Sequence, residues 1–172
     1  VEPANFNCPG QIVIAGEVNA IEKAVELCSE KGARRAIKLP VSAPFHCSML
    51  KPAGEKLAAE LEKIVINDLK IPVVSNVTAE YNKDKLKVKD LLVSQVSNPV
   101  KWEDSILKMI ESKVDTFIEI GPGKVLSGFI KKIDKNHRQS LVLHGFCLTI
   151  FFLAVFINNN LPIFAQIFAH YT

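Results

Sequence analysis

His46 is the side chain best placed for chemistry. It follows Pro44-Phe45 and precedes Cys47-Ser48, in a polar break between an extended run and a helical one. Proteins that alternate strands and helices put reactive groups in such breaks. An imidazole there is either a structural or surface histidine or a general base, and one histidine does not decide between them. A base needs a nucleophile to serve, and no serine of the chain stands in a Gly-x-Ser-x-Gly elbow. Gly121-Pro122-Gly123-Lys124 joins a strand pattern to a helix pattern, as a phosphate-binding turn does. It lacks the length of a Gly-x-x-x-x-Gly-Lys-Ser/Thr loop and the hydroxyl after the lysine, so a tight turn accounts for its glycines as well. His46, His137, His144 and His170 have no ligand-like spacing with one another or with Cys8, Cys28, Cys47 and Cys147, so no metal site and no bound cofactor is expected. Scattered cysteines fit a reducing compartment. Lys83, Lys85, Lys87 and Lys89 read as a solvated face rather than a phosphate site.

The elements that must position His46 follow from apolar spacing. Gln11–Gly16 reads as a buried strand, and a helix follows with Asn19 as its cap, Glu22 as its capping-box partner and Gly32 as its terminator. Arg35–Leu39 reads as a second strand. A helix is expected from about Pro52, with Ala53, Leu57, Ala58, Leu61, Ile64 and Val65 at helical spacing. Pro72–Val77 reads as a strand, Val88–Val96 as a helix, Trp102–Ile110 as the start of another, Thr116–Ile120 as a strand and Lys124–Ile133 as a helix. This alternation predicts an α/β fold with a mainly parallel sheet.

The 172 residues are 48% hydrophobic and 23% charged with a net charge of +3. These averages exclude a disordered chain, a disulfide scaffold and a nucleic-acid-binding charge excess. They also conceal a split. Of the 21 basic and 18 acidic residues, only Arg138 lies beyond residue 136, whereas six of the ten Phe do. Leu141–Ile157 is a run without charge, at the short end for a bilayer span. It reads either as a membrane anchor or as an extension of other origin. No signal peptide is expected from the Val1-Glu2-Pro3 start, which also lacks an initiator Met.

Four motifs in order make the chain specific. They are Asn7-Cys8-Pro9-Gly10-Gln11-Ile12-Val13-Ile14-Ala15-Gly16; Leu39-Pro40-Val41-Ser42-Ala43-Pro44-Phe45-His46-Cys47-Ser48-Met49-Leu50; Pro72-Val73-Val74-Ser75-Asn76-Val77 with Gln95-Val96-Ser97-Asn98-Pro99-Val100-Lys101-Trp102; and Glu119-Ile120-Gly121-Pro122-Gly123-Lys124-Val125-Leu126. Together they resemble the C-terminal half of the malonyl-CoA:acyl-carrier-protein transacylases of fatty acid synthesis, over residues 1 to about 136. The resemblance implies a partial α/β-hydrolase-like acyltransferase core with half of an inserted ferredoxin-like subdomain. Residues 1–39 would belong to the subdomain, 40–136 to the core, and 137–172 to an apolar tail outside the family.

The resemblance also implies a reaction. A serine takes malonyl from malonyl-CoA as an ester, and the phosphopantetheine thiol of acyl carrier protein then takes it from the serine. His46 would be the catalytic base and acid, oriented by the backbone carbonyl of Gln95. Phe45, Asn76 and Asn98 would frame the substrate pocket, with Phe45 excluding an α-methyl group; Asn76 and Asn98 could equally cap turns. The family's nucleophilic serine and carboxylate-binding arginine are absent from the chain. The chain is therefore expected to be a fragment, inactive alone, of a cytoplasmic or organelle-matrix enzyme. The alternatives are a non-catalytic carrier-protein-binding module and a remnant anchored to the membrane through 141–157.

Overall fold

The computed structural model describes residues 1–41, 43–120, 123–136, 138–142, 152–158 and 161–167. The architecture is mixed α/β with two open sheets. The smaller has strand order β2-β1-β5, from β1 (Glu2–Cys8), β2 (Gln11–Ala15) and β5 (Val100–Lys101). β1 pairs antiparallel with β2 and parallel with β5. The larger has order β4-β3-β9-β8-β6-β7. Its strands are β3 (Val73–Val74), β4 (Tyr81–Asn82), β6 (Thr116–Ile120), β7 (Arg138–Val142), β8 (Phe152–Asn158) and β9 (Leu161–Ile167). β6 lies parallel to β7 and antiparallel to β8, and β8 and β9 form an antiparallel pair that runs beside β3. The sheets are thus mixed, not mainly parallel. Alternation of element types predicts parallel strands only where every strand is joined by a helical crossover, and β1–β2, β3–β4 and β8–β9 are joined by short connections instead.

The helices are α1 (Val18–Glu30), α2 (Lys51–Leu61), α3 (Val88–Val96), α4 (Trp102–Glu111) and α5 (Val125–Ile133). α4 shows why its sequence is helical. Trp102, Ser105, Ile106 and Met109 recur at three- and four-residue steps and are all buried. The Ser105 hydroxyl is satisfied by donating to the Lys101 carbonyl at 2.7 Å. Trp102, Ile106 and Met109 meet Val74, Val100, Val114, Phe117, Leu126 and Ile130 in the main core. A second, smaller cluster of Ala4, Ala15 and Cys47 lies under β1 and β2.

Several local expectations need correction. α1 begins at Val18 with Glu17 as its cap residue and no side-chain cap bond, so Asn19 lies inside the helix. Its end is as the glycine suggested. Gly32 has φ +87°, its N–H reaches the Ser29 carbonyl, and the Ala33 N–H reaches the Cys28 carbonyl. These two bonds close a Schellman turn, which favours glycine at the left-handed position. Arg35–Leu39 forms no strand: Ile37 and Leu39 are about half exposed. β1 takes its place as partner of β2, although Pro3, Asn5 and Asn7 are poor strand formers. Register shifts at Pro3/Asn5 and Phe6/Cys8 accommodate them.

Among the described residues no helix is long and apolar enough to cross a membrane. Of the run 141–157, residues 141–142 lie in β7 and 152–157 in β8, and the remainder lies outside the described residues.

Candidate functional site

His46 sits on the connection into α2, which opens with a short 3-10 turn at Ser48–Leu50. Its backbone has φ +59°, the left-handed region that costs a non-glycine residue of order 1–3 kcal/mol. Such a conformation persists only where neighbours hold it. Two do so here. Cys47 is buried against Ala4 and Ala15, with its thiol donating to the Pro44 carbonyl at 3.1 Å. Ser48 donates its N–H to Glu2 Oε2 at 2.9 Å and its hydroxyl to Glu2 Oε1. Glu2, on β1, therefore supplies the acceptor for an N–H at the start of the helical segment, where side-chain caps usually serve.

These bonds hold the Glu2 carboxyl below the usual carboxylate range, the Ser48 hydroxyl contributing most and its N–H next. A group whose folded pKa is depressed contributes stability above its unfolded pKa and loses it as pH falls through the folded value. Unfolding midpoints followed downward from pH 6 should therefore show the wild type losing its advantage over Glu2→Gln below about pH 4.3. A constant difference across that window would rule out the carboxylate as the clamp.

The imidazole is held from the other side by α3. The last carbonyls of a helix lack intrahelical partners, and this sequence distributes them. Asn98 Nδ2 donates to the Ser94 carbonyl at 2.7 Å, and His46 Nδ1 lies 2.8 Å from the Gln95 carbonyl. A carbonyl can only accept, so Nδ1 carries the proton and Nε2 is the nitrogen left to exchange one. Gly54 lies where α2 packs on α3, and a Cβ there would meet the Val93 carbonyl at 3.5 Å and the Val93 and Val96 side chains at 3.8 Å, ordinary contacts that do not require glycine. Asn76, two residues past β3 and buried, donates from Nδ2 to Gln95 Oε1 at 3.3 Å. Its own carbonyl accepts the Lys101 N–H at 2.9 Å.

The structure thus brings His46, Gln95 and Asn76 together. Phe45 is half-buried beside His46, and Asn98 caps the end of α3. Sequence reasoning missed Glu2, which lies 46 residues from Ser48 and has no local signature. It also missed the Asn76–Gln95 side-chain bond. Among the described residues no cluster of three or more His, Cys, Asp or Glu is placed to hold a metal ion. Ser42, Gly121, Pro122, His137, His144, Cys147 and His170 lie outside the described residues.

A model of the acyl transferase domain matches residues 1–142. The chain belongs to the acyl transferase family. It is 52% identical over 136 residues to the malonyl CoA-acyl carrier protein transacylase of Bacillus subtilis, covering 79% of this chain and 43% of that protein. The crystal structure of the malonyl CoA-acyl carrier protein transacylase from Clostridium perfringens superposes with a TM-score of 0.79 at 61% identity, over 82% of this chain and 44% of that one. A malonyl-transacylase in complex with a type II PKS acyl-carrier protein matches at 43% identity and a TM-score of 0.79, over 81% and 45%. The chain spans less than half the length of these relatives.

The acyl transferase match corrects two expectations. It passes the boundary placed near Asn136 and takes in β7, which extends the sheet by parallel pairing along all of β6. The assignment as a C-terminal half ending there is withdrawn. The reading as an inactive fragment, with its alternatives of a non-catalytic binding module or a membrane-anchored remnant, falls with it. The matched acyltransferase region contains the His46–Gln95 arrangement.

Proposed function

We propose that this domain serves malonyl transfer from CoA to the phosphopantetheine thiol of acyl carrier protein. The observation that carries the reading is the His46 imidazole, held at Nδ1 by the Gln95 backbone carbonyl within a chain of the acyl transferase family. A neutral carbonyl fixes the ring as the acid of a Ser-His-Asp triad would. Nε2 then takes the proton of the attacking hydroxyl or thiol and returns it to the leaving thiolate. In such chemistry the nucleophile is a serine on a Gly-His-Ser-x-Gly turn and an arginine pairs with the malonyl carboxylate. No serine of the 172 residues has that framing, and neither role is assigned to a residue of this chain. The substrates need no further cofactor.

The names of the relatives support acyl carrier protein and malonyl-CoA as partners. We place Phe45, Asn76 and Asn98 around the acyl pocket, with Phe45 filling the space an α-methyl would need. We further assign residues 1–39 to a ferredoxin-like subdomain, as the resemblance implies, although its sheet also takes in β5 and its small cluster takes in Cys47. Residues 40–136 form the α/β-hydrolase-like core, and the apolar tail follows, its first residues within the family match.

The test is formation of malonyl-carrier protein from malonyl-CoA by the full protein carrying this chain, with methylmalonyl-CoA as competitor. Malonyl should be preferred, and Phe45→Ala should narrow the preference by about 10- to 200-fold, the worth of roughly one methyl group in a pocket. Absence of the malonyl product would overturn the proposal.

A further inference from the structure

We propose that Asn76 is a positioning residue for His46, acting through Gln95; the inference rests on the base role given to His46 above. Gln95 has two oxygens with two tasks. Its backbone oxygen receives His46 Nδ1 at 2.8 Å, and its side-chain oxygen receives Asn76 Nδ2 at 3.3 Å. Gln95 is the penultimate residue of α3, in the turn where a helix frays first and where the carbonyl facing the imidazole would otherwise wander.

Asn76 is a fixed post for it. It is 4% exposed, and its backbone carbonyl is tied to the N–H of Lys101, the last residue of β5. A buried amide anchored to sheet backbone, bonded to the side chain of the residue that orients the base, restrains the last turn of α3. This keeps the proton on Nδ1 and leaves Nε2 to react. The role is separate from framing the acyl pocket, because it runs through the Asn76 Nδ2 bond to the Gln95 side chain.

The experiment is a double-substitution cycle in the full protein, using Asn76→Ala, Gln95→Met and the pair. Gln95→Met removes the side-chain acceptor and keeps the backbone carbonyl. Imidazole ¹⁵N spectra of His46 report the tautomer without substrate, and steady-state transfer gives kcat and KM. Each single variant should lower the Nδ1–H tautomer share and reduce kcat about tenfold, the worth of roughly one hydrogen bond, with KM for malonyl-CoA little changed. The double variant should lose no more than either single one, because both cut the same link. Unfolding midpoints identify any variant that fails to fold, and Gln95→Met alone still reads the tautomer.

An unchanged tautomer in both single variants overturns the proposal, as do losses that multiply in the double variant. A raised KM with unchanged kcat also overturns it and returns Asn76 to the pocket. A shifted tautomer with unimpaired transfer upholds the positioning and instead sinks the base role of His46.

Discussion

His46→Ala should lower kcat/KM for malonyl transfer by about 10²–10⁴-fold in the full protein, the usual worth of a positioned general acid–base group. The loss should fall on both half-reactions, since one imidazole serves the attack on the CoA thioester and the transfer to the carrier thiol. It should appear mainly in kcat, because the ring is needed when the proton moves rather than when substrate binds. Stability should separate two replacements that activity does not. The φ of +59° at His46 is strained for any side chain, so His46→Gly should be about 1 kcal/mol more stable than His46→Ala while being equally impaired. Strain kept at a residue whose removal relieves it is what a site selected for geometry shows. Retention of more than about a tenth of wild-type kcat/KM by the alanine variant would exclude the imidazole as the base.

How much of this was legible in the sequence depended on whether the information was local. α4 and α5 follow from apolar spacing because each buries one face, Trp102, Ile106 and Met109 of α4 and Leu126 and Ile130 of α5, whereas α2 stops at Leu61 and leaves Ile64 and Val65, expected on its apolar stripe, exposed beyond it. β1 was invisible because its strand identity comes from two partners, β2 and β5, and not from Pro3, Asn5 and Asn7. Arg35–Leu39 shows the converse, a strand-like pattern with no partner to pair with. A mainly parallel sheet was read from element order, and order does not reveal which strands lie side by side. At the site, His46 stood out by type and place. The Gln95 partner is a backbone oxygen, which no residue letter announces, and only the resemblance pointed to it. Asn98 could be read as a cap or as a pocket residue, and its amide does bond the Ser94 carbonyl, a contact its letter alone does not announce. The division at Asn136 followed a change in composition, but the acyl transferase match reaches residue 142. Charge density marks solvent exposure rather than the edge of a fold.

Glu119→Ala should destabilise the fold by about 2–4 kcal/mol, through donors left without an acceptor rather than through lost packing. Glu119 is 3% exposed at the end of β6. Its Oε1 accepts the Leu126 N–H at 3.1 Å, and its Oε2 accepts the Ser127 N–H at 2.9 Å and the Ser127 hydroxyl at 2.6 Å. Leu126 and Ser127 are the second and third residues of α5, and the cap residue Lys124 makes no side-chain cap bond. A strand carboxylate therefore caps the helix across the turn, placing negative charge at the positive end of the helix dipole. The arrangement also fixes where α5 begins, and with it the entry of Leu126 and Ile130 into the core beside Phe117. Glu119→Gln separates acceptor chemistry from shape. With its oxygen at the Oε2 position it keeps both Ser127 bonds, but its NH₂ then faces the Leu126 N–H, donor against donor. The expected cost is about 1–2 kcal/mol, between wild type and alanine. Urea unfolding of the three proteins would show that order. A glutamine variant as unstable as alanine would mean that the charge at the helix terminus, rather than the count of accepted bonds, carries the stabilisation.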